Sequence, residues 1–264
     1  MADQGPGLAT ELDVDVPHAA RIWNYWMGGK DNFAADRAAG AAVAQVYPEI
    51  VVMARESRRF LVRTVRHLAA EAGIRQFLDV GTGLPTMQNT HEVAQSVAPG
   101  SRVVYVDNDP MVLVHARALL VSPAGAGITR YVPADYHDPE RILTEAADAL
   151  DFREPVAVMF MGVLGYEPDL EVARSIVATV LDAVPSGSHL VLWDGTDTSP
   201  AVVEGAARLV ASGGVPYVLR SPEQIGGFFD GLTPVEPGLT SITRWRADDD
   251  TPAIDAYGAV GRKP

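Results

Sequence analysis

Five short apolar segments recur along the chain from residue 75 onward, and a predicted helix follows most of them. They are residues 75–80, 102–109, 128–135, 155–162 and 188–197. The fourth segment, PVAVMFMG, is almost wholly apolar, as expected of a strand that is buried on both faces. Strands that alternate with helices at this spacing form a parallel sheet covered by helices on both sides. The sequence therefore predicts a doubly wound α/β fold.

The helical pattern divides the chain into three parts. Between the strands, helices are predicted over residues 86–97, 110–120 and 169–184, and after Pro139. Three more, over residues 17–27, 36–47 and 48–72, precede the first strand. Residues 240–245 and 256–263 predict an antiparallel pair that closes the sheet edge. We therefore expect a flexible tail (1–16), an N-terminal helical cap (17–73) and a ligand-binding α/β domain (74–264).

Composition excludes several classes of function. The net charge is −13 and the pI is about 4.8, so an acidic surface repels phosphate backbones and argues against nucleic acid as a partner. The chain has no cysteine, which excludes disulfides and thiolate chemistry. No apolar run approaches the ~18 residues that span a bilayer, and no His/Asp/Glu grouping has metal-ligand spacing. We expect a soluble, cytoplasmic protein without a metal; a homodimer stays open.

The first strand ends in a glycine-rich turn, Asp79-Val-Gly-Thr-Gly. Ligands of doubly wound sheets lie beyond the carboxyl ends of the strands, and Gly81 and Gly83 allow the backbone to turn tightly beside one. Asp79, Gly81, Thr82 and Gly83 are therefore predicted to bind a cofactor. Thr86 replaces the third glycine of the dinucleotide fingerprint, and no P-loop is present. The alternative role of Asp79 is to cap the turn.

Acidic residues also end the second and third strands. Asp107, followed by Asn108, is placed to accept hydrogen bonds from ribose hydroxyls. Asp135 can accept from the amine of an adenine, and Tyr136 can pack on its ring. The alternatives are a helix N-cap for Asp107, before Pro110, and a turn residue for Asp135. The combined pattern favours a nucleoside.

These blocks resemble known sequences. FLDVGTGLPT, VVYVDNDP and PADYHDPE are similar to the nucleotide-binding motifs of class I S-adenosylmethionine-dependent methyltransferases. HAARIWNYWMGGKDNFAADR and the segment from ARESRRF to GTGLPT resemble an actinobacterial family called S-adenosyl methyltransferase, formerly a domain of unknown function. The resemblance implies a Rossmann-like seven-stranded sheet, mostly parallel with an antiparallel last strand.

The resemblance also implies a cofactor, S-adenosylmethionine, and a product, S-adenosylhomocysteine. By that match, Gly81 and Gly83 approach the methionine, Asp107 binds the ribose, and Asp135 and Tyr136 hold the adenine. Met161 and Gly162, at the end of the fourth strand, complete the predicted cofactor site.

The segment WNYWMGGKDNF is predicted to close over this cofactor, because the N-terminal helices are free to cover the open strand ends. The predicted lid residues are Tyr25, Gly28, Gly29, Lys30, Asn32 and Phe33. Lys30 is expected to pair with the methionine carboxylate, with Arg55 or Arg59 as alternatives. For Trp23 and Trp26, the alternative is that they only attach the first helix to the core.

A general base is not evident. The candidate catalytic residues are Asp194, at the end of the fifth strand, and Tyr166; Asp194 and Asp197 have the alternative role of turn residues. The family pattern places histidines near Gly165 and Asp194, and this chain has none at those positions.

The remaining histidines have simpler interpretations. His137 is interpreted as an exposed loop residue, and His91 and His115 as structural or surface residues. The asparagine-proline signature of DNA amino-methylating enzymes is absent at residues 161–166.

Three functions compete. The first is a methyltransferase that acts on an unidentified small molecule. The second is a non-catalytic protein that binds S-adenosylmethionine or S-adenosylhomocysteine as a sensor or partner module. The third is an NAD-dependent oxidoreductase, which the missing third glycine and the Asp135-Tyr136 pair argue against.

Overall fold

A computed structural model describes residues 13–85, 88–112 and 127–264 of the chain. Within them, one mixed sheet is flanked by helices. Its strands are β1 (Gln76–Val80), β2 (Arg102–Asp107), β3 (Thr129–Pro133), β4 (Ala157–Met161), β5 (His189–Gly195), β6 (Thr233–Pro234), β7 (Thr240–Ser241) and β8 (Ala256–Arg262). The order along the sheet is β3-β2-β1-β4-β5-β8-β6, and β7 pairs with β8 beside this path.

Eight α-helices lie wholly within the described ranges. They are α1 (Ala19–Trp26), α2 (Ala34–Val46), α3 (Ile50–Ala70), α4 (Thr90–Val97), α5 (Pro139–Ala146), α6 (Leu170–Asp182), α7 (Pro200–Ala211) and α8 (Pro222–Gly226). Short 3₁₀ turns span Leu164–Tyr166 and Gly227–Phe229. The helix predicted over 110–120 begins at Pro110, and most of it, with His115, lies outside the described residues.

The period-2 alternation of the strands divides the core in two. Phe77 and Met159 face one side of the sheet, where they share a hydrophobic cluster with Phe60 of α3. Leu78 and Phe160 face the other side and pack in a cluster with residues of α5 and α6. Because both faces of β4 are covered, its first four residues are fully buried, as the apolar run PVAVMFMG predicts.

The first five strands run parallel and the last long strand runs against them. β1 pairs in parallel with β2 and β4, and β4 pairs in parallel with β5. β8 is antiparallel to β5. The predicted doubly wound sheet with an antiparallel last strand is thereby confirmed. The predicted antiparallel pairing of residues 240–245 with 256–263 is present between β7 and β8. The predicted edge position is wrong, because β8 lies between β5 and β6.

The N-terminal helices share the core of the sheet. Ile22 and Trp26 of α1 and Val43 of α2 belong to the same hydrophobic cluster as Phe77 and Met159. The division between cap and α/β domain at residue 73 remains a prediction. Residues 1–12 of the predicted tail lie outside the described part of the chain.

A buried ion pair attaches α1 to α2. The Nε of Arg21 lies 3.0 Å from the carboxylate of Asp36, and both side chains are almost fully buried. Asp36 also accepts hydrogen bonds from the backbone N–H of His18 and of Phe33, each at 2.8 Å. The bond from Phe33 begins α2, which starts two residues before the predicted helix. One carboxylate therefore holds the start of both helices.

Candidate functional site

A cavity of about 430 Å³ lies at the carboxyl ends of the parallel strands. The strand order reverses between β1 and β4, which is where doubly wound folds bind ligands. We call one part the polar half, lined by Arg58, Asp79, Gly81, Asp107, Asp135 and His137. We call the other part the apolar half, lined by Trp23, Met27, Trp193, Leu209, Val215 and Tyr217.

The turn after β1 forms the floor of the polar half. Gly81 and Gly83 have φ values of +72° and +66°, a region that residues with a Cβ rarely adopt. A Cβ on Gly81 would also collide with the side chain of Val163. The backbone therefore follows a path that only glycine permits, and Gly81, Thr82 and Gly83 all line the cavity.

Asp79 is a buried carboxylate beneath this turn. Its Oδ2 accepts a hydrogen bond from the hydroxyl of Thr90 at 2.6 Å, and its Oδ1 has no partner among the described residues. Burial raises the pKa of Asp79 to about 6, against the opposing effects of the Thr90 hydrogen bond and the nearby Arg58 charge. The unpartnered oxygen can take a donor from a ligand.

Arg58 is the arginine that α3 presents to the cavity. One of its terminal nitrogens donates to the backbone oxygen of Gln88 at 3.2 Å and to Asn89 at 3.4 Å, while its Nε has no partner among the described residues. Arg59, predicted to bind the cofactor carboxylate, pairs with Glu56 at 2.9 Å and lies outside the cavity lining.

The carboxylate of Asp107 stands at the end of β2. It accepts hydrogen bonds from the backbone N–H of Gly83 at 2.7 Å and of Asp109 at 2.9 Å. Burial raises the pKa of Asp107. The capping role belongs to Asp109, whose carboxylate accepts from the N–H of Met111 at 2.8 Å. Asp107 therefore faces the cavity and is not the N-cap of the next helix.

A chain of hydrogen-bonded polar side chains lies at the end of β3. The amide of Asn108 donates to Asp135 at 2.8 Å, and Nδ1 of His137 lies 2.7 Å from the same carboxylate. The other ring nitrogen of His137 lies 2.7 Å from Glu167. Burial would lower the pKa of His137, but the two carboxylates outweigh it and raise this pKa. His137 is exposed in a loop, as predicted, and its ring bridges the two carboxylates beside the cavity.

The same contacts change the pKa of Asp135. Burial would raise its pKa, but the hydrogen bonds from His137 and Asn108 outweigh it and lower this pKa. Asp135 also accepts from the backbone N–H of His137 at 2.9 Å, so it has the turn role as well as a place on the cavity. The ring of Tyr136 packs on His137 with 4.2 Å between centroids.

Helix α1 covers the cavity. At its start, Nδ1 of His18 lies 3.1 Å from the carboxylate of Asp109, above the polar half. Further along, the indole of Trp23 stacks on Trp193 of β5, with 5.9 Å between centroids and 29° between planes. Trp26 donates to the backbone oxygen of Gly40 at 3.0 Å and attaches α1 to α2. Helix α1 itself, and not the predicted lid residues Tyr25, Gly28, Gly29, Lys30, Asn32 and Phe33, supplies the contacts with the cavity.

The polar loop after α1 is held by its own residues. Oδ1 of Asn24 accepts from the backbone N–H of Asp31 at 3.0 Å and from the side chain of Asn32 at 2.9 Å. The amide of Asn32 also donates to the backbone oxygen of Gly29 at 3.0 Å. Tyr25 packs against α2, and Lys30 is exposed. The Gly-Gly-Lys-Asp-Asn sequence is explained by this turn.

Asp194, a candidate base, lies behind the apolar half. Its Oδ1 accepts from the hydroxyl of Tyr217 at 2.6 Å, and its Oδ2 lies 3.5 Å from the buried Arg220. Burial raises the pKa of Asp194 to about 6. The ring of Tyr217 packs edge-on against Tyr166, and both tyrosines line the cavity, whereas Asp194 does not. Asp194 positions Tyr217.

The structure brings most of the predicted site residues to the cavity. Those in its lining are Asp79, Gly81, Thr82, Gly83, Asp107, Asn108, Asp135, Tyr136, Met161, Gly162 and Tyr166. Those outside its lining are Tyr25, Gly28, Gly29, Lys30, Asn32, Arg59 and Asp194. Their roles toward a cofactor or acceptor remain predictions.

Sequence reasoning missed His18, Arg58, Trp193 and Tyr217 as lining residues. Arg58 had a usable signal, since it lies four residues after Ala54 and three before Leu61, on the buried stripe of α3. Tyr217 had none, because the segment between α7 and α8 has no regular pattern.

The described residues offer neither a metal site nor a membrane-spanning helix. They hold no cluster of three or more His, Cys, Asp or Glu that would bind a metal. No helix among them is long and apolar enough to cross a bilayer.

Comparisons place this geometry among known proteins. A family model described as S-adenosyl methyltransferase matches residues 6–264. The chain is 44% identical to a DUF574 family protein from Streptomyces avermitilis, over 96% of this chain and 99% of that one, with a TM-score of 0.91. It is 41% identical to a putative methyltransferase from Thermobifida fusca, over 97% and 98% of the two chains, with a TM-score of 0.89. No curated protein matches the chain.

More distant structures share the fold alone. A SAM-dependent methyltransferase from Anabaena variabilis is 15% identical over 75% of this chain and 80% of that one, with a TM-score of 0.51. At that level of identity the shared feature is the class I methyltransferase sheet.

Proposed function

The chain belongs to the S-adenosyl methyltransferase family, whose cofactor is S-adenosylmethionine, and we propose that it methylates a small-molecule acceptor. The observation that carries the proposal is the single cavity that joins a polar half at the strand ends to an apolar half under α1. The polar half fits the cofactor, and the apolar half is left for an acceptor.

The polar half offers both charges that the methionine end of the cofactor needs. Oδ1 of the buried Asp79 lacks a donor and suits the ammonium, and Arg58 has an unpartnered Nε and suits the carboxylate. Gly81 leaves the backbone free to approach closely. Asp107 would take the ribose hydroxyls, and Asp135 with Tyr136 the adenine. When bound, S-adenosylmethionine supplies an electrophilic methyl group on a sulfonium.

The protein's own contribution is positioning. Met161 ends β4, and Gly162 and Tyr166 follow it; all three line the cavity and would hold an acceptor in line with the methyl group. Helix α1 covers the cavity and would exclude water from it.

One observation favours the second candidate function, a protein that binds the cofactor without turnover. Asp194, the candidate base at the end of β5, is fully buried and bonded to Tyr217, so it has no path to an acceptor. A protein that binds the cofactor without turnover would have the same cavity.

Calorimetric titration with S-adenosylmethionine, S-adenosylhomocysteine and NAD tests the proposal. We expect micromolar binding of the first two, none of NAD, and about 10- to 100-fold weaker binding by Asp107→Ala, because charged hydrogen bonds are lost. Asp151→Ala, a surface carboxylate paired with Arg153, is the matched control and should bind normally. A folded wild-type protein that binds neither methionine compound would overturn the proposal.

A screen for released S-adenosylhomocysteine then separates the two functions. Its release with any small acceptor supports methyl transfer. Tight binding with no release across the whole screen supports the non-catalytic module.

Donor affinity is expected to depend on Asp79 between pH 5 and 7. The pKa of Asp79 is raised to about 6, so its ionised form predominates at pH 7 and is lost as the pH falls. The cofactor ammonium stays charged throughout this range. Affinity should therefore fall about 10-fold from pH 7 to pH 5. Calorimetry across this range measures it, and Asp79→Asn should bind weakly with a flat profile. A wild-type affinity that does not change over this interval would contradict the role of Asp79.

A further inference from the structure

The geometry points to a chemical class for the acceptor: an uncharged aromatic molecule that carries an oxygen or nitrogen hydrogen-bond acceptor at its edge. The inference rests on the proposed function, because it concerns the apolar half of the same cavity. It adds the chemical class of acceptor that the apolar half would bind.

The distribution of charge is the first argument. Apart from tyrosines, the titratable side chains that line the cavity are His18, Arg58, Asp79, Asp107, Asp135 and His137. All belong to the polar half or lie at its edge, since His18 contacts Asp109 beside β2. The described residues of the apolar half contribute no carboxylate, ammonium or guanidinium to the lining. A charged acceptor would lose its hydration there without gaining a partner.

The aromatic walls are the second argument. Trp193 is nearly fully buried and stacks on Trp23, while Tyr217 and Tyr166 meet edge to face at 4.9 Å. All four rings line the cavity. Flat rings pack well against such walls, in stacked or edge-on contact.

An unpartnered donor is the third argument. Nε1 of Trp193 has no hydrogen-bond partner among the described residues, although buried indole N–H groups usually find one. The ring lies over Gly162, where a Cβ would come within 2.5 Å of it. Gly162 follows β4 at the junction of the two halves. An acceptor atom at the edge of a bound ring would satisfy this N–H.

Exposed apolar residues lie at the edge of the apolar half and form a rim. Val215 lines the cavity and is 45% exposed. Its neighbour Gly213 lies against Pro17, next to the exposed Val16, and Val210 of α7 is also exposed. An exposed apolar rim of this kind suits the entry of an uncharged ring.

Four matched probes test the class by equilibrium dialysis at pH 7.5: naphthalene, 2-naphthol, 2-naphthoate and 2-naphthylmethylamine. We expect 2-naphthol to bind wild-type protein at least 10-fold more tightly than the anion or the cation. Equal or tighter binding of either charged probe would overturn the inference. This comparison needs no variant.

Two variants locate the probe. Ala206→Trp fills the apolar half from α7, so 2-naphthol should bind at least 10-fold more weakly while S-adenosylmethionine affinity stays within 2-fold. Trp193→Phe keeps a ring but removes the N–H, so the preference for 2-naphthol over naphthalene should fall about 5-fold. An unchanged 2-naphthol affinity in Ala206→Trp, or an unchanged preference in a folded Trp193→Phe, would also overturn the inference.

Asp107→Ala separates this inference from the proposed function. It should bind the cofactor about 10- to 100-fold more weakly and still bind 2-naphthol as the wild type does. Absence of cofactor binding in the wild type would remove the methyltransferase proposal, whereas the naphthalene series would still decide what the apolar half accepts.

Discussion

Replacing Arg58 with methionine is expected to weaken S-adenosylmethionine binding by about 10- to 100-fold, the range for losing charged hydrogen bonds. Arg58 lines the polar half, and its Nε has no partner among the described residues. Methionine keeps much of the apolar stem but removes the charge that would hold the cofactor carboxylate. Calorimetric titration at pH 7 measures the change.

Arg59→Met is the matched control for Arg58→Met. It removes the same group one position along α3, from a side chain that is exposed and pairs with Glu56 and Asp249. Its cofactor affinity should stay within about 2-fold of the wild type, because Arg59 lies outside the cavity lining. Equal losses in the two variants would show that charge in general, and not Arg58, drives binding.

Replacing Asp36 with alanine is expected to lower the free energy of unfolding by about 3–5 kcal/mol, because the buried guanidinium of Arg21 loses its carboxylate and keeps only the backbone oxygens of Asp13 and Val16. The start of α2 loses its capping bond as well. Urea unfolding, followed by circular dichroism, measures the difference. Since α1 covers the cavity, cofactor affinity should fall in parallel.

Glu204→Ala breaks an exposed ion pair with Arg208 on α7 and serves as the control. It should change the unfolding free energy by less than about 0.5 kcal/mol. The double variant Arg21→Met/Asp36→Ala should recover part of the loss, because no unpaired charge stays buried. An Asp36→Ala protein as stable as the wild type would contradict the stabilising role of the Arg21–Asp36 ion pair.

Strand positions were predictable because they depend on local pattern. Residues 75–80 and 155–162 were predicted as strands, and β1 and β4 occupy Gln76–Val80 and Ala157–Met161. A strand buried on both faces needs an uninterrupted apolar run, which few other structures require. β6 is only two residues long and exists through its pairing with β8, so no local pattern marks it.

For the N-terminal segment, local sequence pattern predicts the helix but not its contacts. The helix over Trp23 and Trp26 was predictable, but which of its residues face the cavity was not. That depends on how α2 packs, because Tyr25 lies against Gly40 and Trp23 meets Trp193, far away in the chain. The polar loop at 28–32 suggested a site, yet Asn24 satisfies much of it locally.

The sequence by itself determined the parallel sheet, the glycine turn after β1 and the acidic residues at the ends of β2 and β3. Each follows from short-range periodicity or from backbone conformations that only glycine adopts readily. Only the tertiary structure decided that Arg58 and not Arg59 faces the cavity, that Asp194 lies behind Tyr217, and that Trp23 and Trp193 form one wall. Adjacent helix positions point about 100° apart, and contacts between distant segments arise from packing, which leaves no local trace in the sequence.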